Sequence, residues 1–115
     1  MEIKDFRFIK IETSTPAGNV QAIIDSITTA GAGTIGNYDH VYSTSEVTGH
    51  WRPLEGANPV IGIVGEDETQ PEIKIEFLCR SEIVHHVVNA IKKAHIYEKP
   101  VINIIPVFSI NIEEE

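Results

Sequence analysis

Glu72-Ile73-Lys74-Ile75-Glu76-Phe77-Leu78-Cys79-Arg80-Ser81-Glu82-Ile83-Val84-His85-His86-Val87-Val88-Asn89-Ala90-Ile91 changes its apolar period partway along. Ile73, Ile75, Phe77 and Cys79 alternate with Glu72, Lys74, Glu76 and Leu78, the period of two that lays one face of a β-strand on a core. From Val84 the apolar positions become Val84, Val87, Val88 and Ile91, the stripe of an amphipathic helix. Ser81 is placed to cap that helix, with Glu82 at its positive end and Lys92, Lys93 and His95 near its negative end. Pro100 breaks the chain before a last strand, Val101 to Phe108.

The same strand-then-helix order occurs upstream. Phe6 to Thr13 reads as a strand. Thr15 followed by Pro16 reads as an N-cap and first helical position, and Val20, Ile23, Ile24 and Ile27 supply a second stripe, stopped at Gly31 and Gly33. Between the two units, Tyr38 to Val47 suits a strand, Thr48-Gly49 a turn, and His50-Trp51-Arg52 a short returning strand ended by Pro53. Leu54 to Gly65 reads as an ordered loop and Glu66 to Pro71 as an acidic turn. The sum is a ferredoxin-like βαββαβ two-layer α+β sandwich, one domain over residues 1–112 with an acidic tail at 113–115. The last strand is apolar on both sides: Val101, Ile105 and Val107 on one, Ile102 and Ile104 on the other. Helices cover only one face of such a sheet, so a second copy of the chain is expected on the other.

Composition removes several functions. A net charge of −8 lacks the basic surface that releases counterions from nucleic acid or holds an anionic membrane. The single cysteine, Cys79, excludes an internal disulfide, and the charged start Met1-Glu2-Ile3-Lys4-Asp5 is unlike a secretory leader; a cytoplasmic location is the expectation. His85 and His86 are helix neighbours pointing about 100° apart, so they do not converge on a metal. His40, His50, His95 and Cys79 are ligand types without ligand spacing, since CxxC and HxxxH are absent. The glycine-rich run Ala30 to Asn37 follows a helix instead of opening one and lacks the phosphate-loop lysine; it reads as a helix stop and turn.

The segment Gly49-His50-Trp51-Arg52-Pro53-Leu54-Glu55-Gly56-Ala57-Asn58-Pro59 is the most distinctive surface. It sets the sole tryptophan beside an arginine and a histidine, residue types suited to binding hot spots. The bland alternative is a lid that packs Trp51 over the core.

Three blocks carry a resemblance: Ala30 to Tyr38, Gly49 to Gly62, and Ala94-His95-Ile96-Tyr97-Glu98-Lys99-Pro100. In order, over nearly the whole chain, they resemble the middle insert domain of Nif-three-like proteins, also described as GTP cyclohydrolase type-two-like. That domain is similar in fold to the CutA divalent-ion-tolerance and PII signalling proteins, and the resemblance implies assembly as a trimer with sheets turned inward. The family's dinuclear metal site lies in flanking domains, so no metal ligand or catalytic residue transfers. Ile96 and Lys99 replace a proline and a glutamate of the family's third block, and Ile102-Asn103 stands where a Tyr-Asp pair is usual.

The function expected from these readings is a stand-alone insert-type module, a homo-oligomer and foremost a trimer, that binds a small molecule or protein partner near subunit edges. His50, Trp51, Arg52, His95, Tyr97 and Glu98 are the expected contacts, and the cofactor is unknown. The alternatives are divalent metal binding of the CutA type through His40, His50, His95 or Cys79, and, last, a hydrolase; the balance leans away from an enzyme.

Overall fold

The computed structural model describes residues 2–110; the acidic tail expected at 113–115 lies outside them. Six principal elements follow in the order β1 (Phe8–Thr15), α1 (Val20–Thr29), β2 (Ser43–Trp51), β3 (Glu68–Arg80), α2 (Val84–Ala94) and β4 (Ile102–Val107). The strands form one antiparallel sheet ordered β2-β3-β1-β4, the ferredoxin-like arrangement. Among the described residues no helix is long and apolar enough to cross a membrane.

Register explains which side chains are covered. Ile9, Ile11, Thr13 and Thr15 pair with Cys79, Phe77, Ile75 and Ile73, and these point toward the helices. Ile9, Ile11, Ile75, Phe77 and Cys79 meet Ile23, Ile24 and Ile27 of α1 and Val84, Val87 and Ile91 of α2 in one cluster, with Ile73 against it. Each fully buried isoleucine there contributes about 1.5–3 kcal/mol relative to exposure. Cys79 belongs to this core, and burial raises its thiol to about 11.

The open face is mixed. Lys10 stands 3.0 Å from Glu76, and Lys74 lies 3.4 Å from Glu76 and 3.8 Å from Glu12. The Lys10 ammonium, with Lys74 behind it, holds the Glu76 carboxyl below its ordinary value. Phe8, Leu78, Ile105 and Val107 form the apolar end of the same face, with the Arg80 guanidinium 5.5 Å above the Phe8 ring.

Three sequence expectations are corrected. No turn occurs at Thr48-Gly49; β2 runs unbroken to Trp51 and pairs with a β3 that begins at Glu68, inside the expected acidic turn. Thr15 is not a helix cap. It stays in β1 and donates to Asn19 Oδ1 at 2.7 Å, while a 3-10 turn, Ala17–Asn19, leads into α1. Likewise Ser81 belongs to a 3-10 turn, Ser81–Ile83, and makes no side-chain cap. On β4, Ile102 and Ile104 pair with Thr13 and Ile11 and lie on the helix side, opposite Ile105 and Val107 as read; Ile104 is exposed because β4 is the edge strand. The open-face residues of β4 are Asn103, Ile105 and Val107.

Candidate functional site

β3 continues past Thr15↔Ile73, the last pair it makes with β1. From Glu72 back to Glu68 it pairs only with Val47 to Trp51 of β2. This two-stranded overhang, the 52–62 loop and the segment after α2 border a half-open cavity of about 700 Å³, within the range of small-molecule sites.

Glu72 forms its floor. The side chain is on the open face, is only 8% exposed, and presents Oε2 to the Tyr97 hydroxyl, which donates at 2.6 Å. Gly49 makes room for it: a Cβ there would stand 2.5 Å from Oε1. Burial, followed by the Glu72 acceptor, pushes the Tyr97 phenol well above its ordinary value.

Tyr97 is itself held from behind. His95 is 7% exposed; its Nδ1 accepts the Tyr97 N–H at 3.1 Å. The proton therefore sits on Nε2, which donates to the Ser14 carbonyl at 2.8 Å. Burial holds the ring below its ordinary value. Asn19 secures the same connection, donating to the Ala94 carbonyl and accepting from the Ile96 N–H. Asn19, in the turn after β1, thus fixes where the segment beyond α2 starts.

Trp51 closes one side. Its ring centroid lies 5.5 Å from that of Tyr97, and its Nε1 donates to the Ile61 carbonyl at 3.3 Å. Glu98 ties the loop down by accepting the Asn58 N–H at 3.0 Å. Val47, Pro53, Leu54, Val60 and Ile61 add apolar wall, and Glu12, Arg52, Lys74 and Lys99 complete the lining.

The structure thus brings Trp51, Tyr97 and Glu98 together around one cavity, with His50 and Arg52 along it. His50 precedes Trp51 in a strand, so its side chain points to the opposite sheet face; it is exposed, beside Thr69 at 3.4 Å. Arg52 is also exposed, 4.0 Å from Asp67. His95 does not line the cavity and acts through Tyr97. Glu72 was missed by the sequence reading, which took it as an ordinary solvent-facing partner of Ile73, and Gly49, read as a turn at the start of the site loop, is a strand residue. A glycine inside a strand-forming run was the available signal.

A hairpin pairing Tyr38–Val47 with the segment from His50 would have brought His40 and His50 close, but no such hairpin forms. His40 precedes β2 and His50 lies near its far end, so the seven steps from Ser43 alone separate them by about 23 Å. Among the described residues no three His, Cys, Asp or Glu side chains gather in a geometry that holds a metal ion. His85 and His86 are exposed on α2.

No protein-family model matches the chain. In sequence it is 37% identical over 98 residues to the GTP cyclohydrolase 1 type 2 homolog of Bacillus subtilis, covering 85% of this chain and 26% of that protein. In structure it aligns with the Bacillus cereus protein related to NIF3 at a TM-score of 0.78 and 29% identity, over 90% of this chain and 26% of that one. The divalent ion tolerance protein CutA1 of Ehrlichia chaffeensis aligns at 0.66 with 18% identity, over 92% and 86% of the two chains; that likeness concerns the fold. The resemblance carried by the three sequence blocks therefore holds, and its extent is defined: the chain spans about a quarter of the length of the curated relatives it matches.

Proposed function

We propose that this chain is a small-ligand-binding module that works as a homo-oligomer, in the form of a trimer, with the cavity above Glu72 as its binding site. The observation that carries the reading is the convergence of a buried carboxylate, a tyrosine and the sole tryptophan on one half-open cavity of about 700 Å³. A lid serving only to pack would fill its space against the sheet; this loop leaves space and lines it with a few convergent polar groups. The cavity is also where segments of the second and third family-like blocks meet, which supports a shared use of this region among the NIF3-related proteins.

Self-association draws support from β4. Val101 is 70% exposed and Phe108 92%, and Ile104 and Ile105 are also exposed along this edge strand. An apolar sheet edge of this kind is stabilised when a second copy covers it.

Two measurements on the purified chain test the proposal. Light scattering at micromolar concentration is expected to give three times the chain mass. Titration with a panel of small metabolites, read by Trp51 fluorescence, is expected to yield saturable binding by at least one class. A monomer with an unresponsive Trp51 across the panel overturns the reading.

A further inference from the structure

We infer that the cavity selects an organic cation: a protonated amine or amidine carried on a flat apolar or aromatic body. This rests on the cavity being a binding site, and it names the ligand chemistry from the unequal treatment of the two Glu72 oxygens. Oε2 accepts from Tyr97. Oε1 has no hydrogen-bond partner among the described residues, and no Lys, Arg or His there forms an ion pair with Glu72. Among the described residues every side-chain nitrogen or oxygen sealed from solvent has a partner, so Oε1 is reached from the cavity that Glu72 lines. A carboxylate this buried is costly unless a donor reaches it, and a cationic N–H donor satisfies both its charge and its lone pairs.

The walls point to the same class. Trp51 and Tyr97 present two aromatic rings at 5.5 Å, tilted by 55°, and a cation beside such faces gains further attraction. Rim charges do not argue for an anion. Lys74 is paired with Glu12 and Glu76, Arg52 lies 4.0 Å from Asp67, and the lining carboxylates Glu12, Glu72 and Glu98 match the lining cations Arg52, Lys74 and Lys99 in number. The floor is the uncompensated part.

Three probes of nearly equal shape separate the possibilities: benzamidinium, neutral benzonitrile and anionic benzoate, each titrated against the full chain by Trp51 fluorescence and calorimetry. Benzamidinium is expected to bind at least about tenfold more tightly than either other probe, the scale of one charge-assisted hydrogen bond. Glu72→Gln is expected to erase that margin and leave benzonitrile unchanged. Tyr97→Phe keeps the ring and the charge and frees Oε2, so benzamidinium binding is expected to hold or tighten. Benzoate matching benzamidinium, or a margin unaffected by Glu72→Gln, overturns the cation inference while leaving the cavity a binding site. Silence from all three probes, together with silence from the metabolite panel, removes the binding site itself. Should Glu72→Gln not fold, the ranking of the three probes on the native chain still decides.

Discussion

Gly49 and Glu72 lie on the same sheet face of neighbouring strands, so close that a methyl group on the glycine would stand 2.5 Å from Oε1 of the glutamate. The glycine is required for the space it leaves. Gly49→Ala is expected to preserve the strand, because the Glu72 side chain can rotate away, and to break the Tyr97–Glu72 hydrogen bond in doing so. The cost is about 1–3 kcal/mol, measured by urea unfolding, with a change in Trp51 emission. An unchanged unfolding midpoint would show that Glu72 is not crowded.

Tyr97→Phe removes the donor to a buried carboxylate and is expected to destabilise the fold by about 1–3 kcal/mol. The wild-type phenol offers a direct check. Tyr97 is held above its ordinary value by burial and by Glu72, whereas Tyr38 and Tyr42 are exposed. Absorbance titration at alkaline pH should show a tyrosine step above the ordinary phenol range that is missing in Tyr97→Phe. The same alkaline profile in wild type and Tyr97→Phe, apart from the loss of one chromophore in the ordinary range, would refute the assigned contact.

These two residues also show what the amino-acid order could and could not reveal. β3 and α2 were legible because their apolar periods are clean and their buried faces lie on opposite sides of a single register. β2 was misread because Thr48-Gly49 has turn composition; the glycine answers to a carboxylate on the next strand, a demand made by tertiary structure. Thr15 looked like a cap for the same kind of reason: its hydroxyl does satisfy a neighbour, but through Asn19 and from the end of a strand. Trp51, Tyr97 and Glu98 were recognisable from residue type and motif. Glu72 was invisible, since alternation marks both a solvated glutamate and one roofed by a distant loop in the same way. The division of labour between His50 and Trp51 depends on strand parity, which cannot be set before the strand's limits are known.

His95 should impart a pH dependence. Burial holds the folded imidazole below its ordinary value of 6.5, against the smaller opposing effects of Ser14 and Glu72. As pH falls below about 6.5 the unfolded chain takes up a proton that the folded chain refuses, so stability declines until the folded ring titrates. Above that range the penalty is absent. The stability margin of wild type over His95→Asn is therefore expected to shrink between pH 7 and pH 5 in urea unfolding. A margin constant across that interval would refute the buried neutral state.

Cys79 is buried, and loss of hydration raises its thiol to about 11. A thiol reagent at pH 8 is expected to leave the native chain unmodified and to label one cysteine per chain in denaturant. Rapid labelling of the native protein would show that the core opens locally on the timescale of the reaction.

The cavity exists because β1 stops. Beyond Thr15 the chain turns aside at Pro16 into the 3-10 turn before α1, while β3 continues alongside β2 alone. A proline at that boundary has no amide hydrogen to extend the ladder. The vacant lane beside residues 68–72 is thus the berth of an unbuilt stretch of strand, roofed by the 52–62 loop. Its length follows from where one imino acid ends the sheet's inner rail, and lengthening that rail by a couple of residues would close the berth without altering any wall residue.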